Sequence, residues 1–175
     1  MVRKILLSCL GLFLLGLLSF KFISKDVKFV PDSFVVPLGK ATSNFSFVKV
    51  SPQFTKLDFE ALMSAKEFIR EQLNSEWPSD EFTLKENTES LVGDLTAFNE
   101  RENFTFHIFD AEKTKLIGCF YISQTYDENS DAAVFIWVRK EFLSTPQFEE
   151  IKDDIHGWIS TSWPFNNVDY SLNKS

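Results

Sequence analysis

Between Phe104 and Val138 the chain passes through three apolar segments in close succession, FTFHIFD (104–110), KLIGCFYIS (115–123) and AAVFIWVR (132–139). Their aromatic and β-branched content suits strands. The stretch Asp110–Thr114 has the length of a hairpin turn, and Gln124–Asp131 makes a longer loop. A helical pattern follows directly. Ser144, Thr145 and Pro146 supply a start signal, and Phe148, Ile151, Ile155 and Ile159 recur on one face. A last strand is expected at about 167–172, after Trp163-Pro164-Phe165. A helix between two strands sets them parallel or nearly so, whereas tight turns set the earlier three antiparallel. The chain is therefore constrained to a mixed sheet with helices.

The region before these strands fits the same plan. Asn44–Val50 alternates, with Phe45 and Phe47 on one face, and reads as the first strand. Lys56–Asn74 reads as a helix with a broad apolar stripe through Leu57, Ala61, Leu62, Ala65, Phe68, Ile69 and Leu73. Trp77-Pro78 breaks it. Thr83-Leu84-Lys85-Glu86 then forms a capping box, in which hydroxyl and carboxylate each satisfy a free amide at a helix start. That helix runs to about Asn99. The expected class is α/β (α+β), with order β-α-α-β-β-β-α-β.

The N-terminus is of a different kind. After Arg3 and Lys4, residues 5–23 form 19 positions whose only charge is Lys21. As a helix they span roughly 28 Å at 1.5 Å per residue, close to a hydrocarbon core of about 30 Å. Residues 1–23 thus read as a single-pass membrane anchor or a signal segment, 24–43 as a connector, and 44–175 as one domain. The segment lacks a persuasive small-x-small cleavage site, which favours the uncleaved anchor. Basic residues flank both of its ends, so the positive-inside rule sets no orientation. Its likeness to a signal sequence points to a domain outside the cytoplasm.

Net charge is −7 over the chain, and removing the three cations Arg3, Lys4 and Lys21 leaves −10 for the rest. So acidic a domain excludes nucleic acid as a partner, because phosphate backbones are bound mainly through Lys and Arg. Of the two cysteines, Cys9 lies in the apolar segment and Cys119 in a strand, so no disulfide is expected within the domain. No Cys/His spacing of a zinc motif is present, and no metal is expected.

Five blocks in this order resemble one branch of the GNAT (Gcn5-related) N-acetyltransferase superfamily. They are Trp77-Pro78; Phe82 to Asn87 (FTLKEN); Leu116 to Ile122 (LIGCFYI); Phe135 to Arg139 (FIWVR); and Trp163-Pro164-Phe165 with Val168 and Tyr170. The resemblance covers about residues 44–172. It implies a GNAT-like mixed sheet in which the strand at Ala132–Arg139 splays from the last strand. The arm of acetyl-CoA would enter that gap and pair with backbone near Ile136, Trp137 and Val138. The family binds the cofactor's diphosphate on a loop of pattern Arg/Gln-x-x-Gly-x-Gly/Ala. Here Arg139 is present, the glycines are not, and Pro146 removes a donor.

Two functions follow from the resemblance. One is transfer of an acetyl group from acetyl-CoA to an amine. The other is a catalytically inactive, membrane-anchored binding module of the cell envelope, contacting a protein or wall component. No catalytic base stands out. His107 reads as a base or, more in keeping with a strand interior, as a structural histidine. His156 reads as a surface or cap residue. Cys119, on one face with Ile117 and Tyr121, reads as a small core residue.

Overall fold

The computed structural model describes residues 28–171. The apolar stretch at 5–23 lies outside them. Among the described residues, no helix is long and apolar enough to cross a membrane.

One six-stranded sheet organises the domain, with strands in chain order: β1 (Gly39–Ala41), β2 (Phe45–Lys49), β3 (Asn103–Asp110), β4 (Leu116–Ser123), β5 (Ala132–Val138) and β6 (Val168–Asp169). The first four pairings are antiparallel and the last is parallel. This is the mixed sheet expected from the order of segments. Helices α1 (Thr55–Leu73) and α2 (Leu84–Glu100) come between β2 and β3, and α3 (Pro146–Ser162) between β5 and β6.

Local chemistry sets the helix ends. The Thr83 hydroxyl accepts from the Glu86 amide at 3.2 Å, while the Glu86 carboxylate accepts from the Thr83 amide at 2.8 Å. This is the capping box legible in the sequence. Asn74 and Arg101 close α1 and α2 in the left-handed conformation, with φ of 46° and 65°.

The sheet buries both faces. On one, Phe47, Phe106, Phe120 and Ile136 pack against Ile151, Ile155 and Trp158 of α3. Phe106 lies among Phe98, Phe120 and Trp158 at ring-centroid distances of 5.3, 5.1 and 5.1 Å. Such pairs add about 0.5–1.5 kcal/mol each beyond burial. On the other face, Ala61, Leu62, Ala65 and Ile69 of α1 cover Phe109, Leu116, Cys119 and Trp137. The heavy phenylalanine content thus goes largely into an aromatic core.

Two features depart from the sequence reading. The described part of 24–43 packs onto the domain. Val30 is buried, Phe29 stacks on Phe104 and Phe165, and Arg101 donates to the carbonyls of Pro31 and Phe34 at 2.6 and 3.0 Å. Its last residues form β1. The second departure is a β-bulge. Ile108 pairs with Gly118 and Phe109 with Leu116, so Ile117 has no opposite residue in β3. The extra residue reverses the in–out alternation. Cys119 therefore shares a face with Tyr121 but not with Ile117, which joins the α3 side.

Candidate functional site

A cavity of about 520 Å³ lies between α1, α2 and the face of β4 and β5. Helical spacing puts Asp58 and Leu62 on its α1 wall, and Asn87, Leu91 and Asp94 on its α2 wall. The sheet adds Tyr121 and Phe135, which are register partners, and Trp137. Trp77 closes one side, at the cis Trp77–Pro78 bond. The lining is mainly apolar, with a few polar groups converging on it, as small-ligand sites are built. The Trp137 indole N–H donates to the Tyr121 hydroxyl at 3.4 Å. Burial pushes the Asp94 carboxyl up to about 6; the charge of Asp58 adds to the rise and His107 opposes it. Burial likewise pushes the Tyr121 phenol well above its ordinary range.

Behind the cavity wall is a second group. Asp58, His107 and Cys119 are all buried and meet across α1, β3 and β4. Cys119 Sγ is 3.2 Å from Asp58 Oδ1, His107 Nδ1 is 3.4 Å from the same oxygen, and His107 Nδ1 is 3.3 Å from Cys119 Sγ. Asn87 Nδ2 donates to the other Asp58 oxygen at 2.9 Å. On the far side of the imidazole, Nε2 lies 3.2 Å from the Ser51 amide and 3.4 Å from its carbonyl. Burial, then the Asp58 charge, push the thiol well above its ordinary range.

The residues expected to hold a cofactor occupy the end of β5. Ile136, Trp137 and Val138 pair with Phe120, Cys119 and Gly118 of β4 and are essentially buried. The parallel ladder with β6 comprises two pairs, Ala132–Val168 and Ala133–Asp169, among the described residues. Arg139 turns inward: Nε donates to the Leu116 carbonyl at 2.7 Å, and an Nη lies 3.4 Å from the Leu57 carbonyl.

The segment leading into α3 does not fit a diphosphate. The amides of Phe142, Leu143 and Thr145 donate to the carbonyls of Arg139, Lys140 and Phe142 at 2.9, 3.2 and 3.2 Å. Phe148 N–H is taken by Thr145, and Pro146 has none to give. Ser144 supplies a positive φ of 59° where the family has glycine or alanine. Glu149, Glu150, Asp153 and Asp154 line the adjoining groove with Ser144 and Thr145. Four amides turned to the chain's own acceptors, beside four carboxylates, make a poor seat for a polyanion.

His156 is half-buried, its ring centroid 3.8 Å from that of Tyr170, and so is packed rather than a surface cap.

The shape of the domain defines its class: it has the GNAT acetyltransferase fold. Among similar solved structures is the ribosomal-protein-S5-alanine acetyltransferase of Vibrio fischeri, at 12% identity over 71% of this chain and 68% of that one, TM-score 0.52. Microcin C7 self-immunity acetyltransferase MccE, solved with acetyl-CoA and AMP, matches at 14% over 75% and 72%, TM-score 0.52. FdhC, a nucleotide-linked sugar GNAT, matches at 12% over 76% and 71%, TM-score 0.54. No protein-family model and no curated protein sequence matches the chain.

Proposed function

We propose that the domain transfers an acetyl group to a small amine, holding its thioester donor by the pantetheine arm rather than by the diphosphate. The observation that carries this reading is the cavity walled by Trp137 of β5, with the half-buried Asp94 as its raised carboxylate. In this fold the end of β5 is where an acyl donor approaches. On this reading the arm lies along Ile136, Trp137 and Val138. Asp94, ionised above about pH 6, is the counter-ion of the acceptor ammonium and the base nearest its proton. Trp137 and Tyr121 shape the apolar wall. The apolar stretch 5–23 anchors the domain to a membrane, with the domain outside the cytoplasm.

The groove of carboxylates beside α3 favours a second reading, in which the fold binds a ligand or protein in the cavity without any acyl donor. Calorimetry separates the two. The full chain in detergent micelles is titrated with acetyl-CoA and with acetyl-pantetheine, which lacks the nucleotide. Transfer predicts weak binding of both, with affinities within a few-fold of each other. No heat from either at millimolar concentration leaves only the binding module.

A further inference from the structure

We infer that Asp58, His107 and Cys119 form a binding site for a zinc-class divalent cation, with its fourth position toward the cavity. A tetrahedral zinc ion with sulfur at about 2.3 Å and nitrogen or oxygen at about 2.0–2.1 Å sets its ligand atoms roughly 3.3–3.6 Å apart. Here Asp58 Oδ1, His107 Nδ1 and Cys119 Sγ stand 3.2, 3.4 and 3.3 Å from one another. The triangle needs only a few tenths of an ångström of expansion to accept the ion.

Charge argues the same way. A buried carboxylate needs a cationic or donor partner. Asp58 has donors in Asn87, Cys119 and His107, but among the described residues no Lys or Arg forms an ion pair with it or with nearby Asp94. A dication with one thiolate and one carboxylate sums to zero, a tolerable charge for a dry interior. Binding releases the thiol proton to solvent and leaves the imidazole neutral, with Nδ1 on the metal and the proton on Nε2.

The surroundings match those of metal sites. A ligating histidine commonly donates its other N–H to a backbone carbonyl, and a ligating carboxylate is itself hydrogen-bonded. Without an ion, Nε2 accepts from the Ser51 amide at 3.2 Å; with Nδ1 on the metal the proton moves to Nε2, which then donates to the Ser51 carbonyl 3.4 Å away, while Asn87 donates to Asp58 Oδ2 at 2.9 Å. Of the three, Asp58 lines the cavity, and on this inference the ion enters and takes a fourth ligand such as water from that side.

Cobalt(II) reports the site without any assay of activity. The full chain, stripped with a chelator and shown folded by circular dichroism, is titrated with cobalt(II) and then with zinc(II). One equivalent should produce a thiolate-to-cobalt charge-transfer band and the intense visible bands of tetrahedral geometry, and zinc should bleach both. Cys119→Ser should remove the charge-transfer band, and Asn87→Ala should weaken binding by about 10–100-fold. A folded wild-type chain giving no such bands overturns the site. So does a charge-transfer band that survives Cys119→Ser, since the only other cysteine is Cys9.

Discussion

Asp94 shows how one side chain carries a burial cost that its position in the sequence does not reveal. Its folded pKa of about 6 stands above the ordinary 3.8, chiefly through burial. The native state therefore holds more protons than the unfolded chain between those values, and stability falls as pH rises from about 4 to about 6. The full effect is about 3 kcal/mol above that window. Asp94→Asn should raise stability by up to about 3 kcal/mol at pH 8, and the gain should vanish below about pH 4. Urea denaturation of metal-free protein across that range checks it. A gain that persists at acid pH would rule out the linkage. Asp58 was equally illegible, as one acid near the start of an amphipathic helix. Its partners lie 49 and 61 residues away in the chain, at His107 and Cys119. A sequence does not show which faces meet.

At the scale of elements, the strands, helices and capping box were largely readable, since each rests on local periodicity or on side chains a few residues apart. The bulge at Ile117 was not, because an alternation pattern gives no sign of where an extra residue will be accommodated. Gly118 stands at that bulge, opposite Val138. A Cβ there would strike the Trp137 carbonyl oxygen and lie 2.8 Å from the Val138 Cα. Close approach of β4 and β5 thus depends on the missing side chain. Gly118→Ala should cost at least about 2 kcal/mol and disturb the cavity wall at Trp137. Chemical denaturation measures the first, and Trp137 fluorescence against a Trp137→Phe control measures the second. A cost below 0.5 kcal/mol, on the order of a neutral surface change, would mean the strands part easily.

For the whole molecule, the membrane segment and the folded domain are separate statements. If residues 5–23 anchor the chain, the full-length protein should stay in the membrane pellet after an alkaline carbonate wash. Deleting residues 1–27 should release it. A full-length chain freed by the wash would remove the anchor. By itself the sequence determined the mixed sheet, the helix placement, the acidity and the lack of glycines before α3, because these depend on composition and on contacts along the chain. Tertiary structure alone decided that the connector joins the core, that Arg139 turns inward, and that Asp58, His107 and Cys119 converge. Those outcomes depend on how α1 settles on the sheet and how the bulge rotates β4, and a linear pattern does not encode distances between elements far apart along the chain.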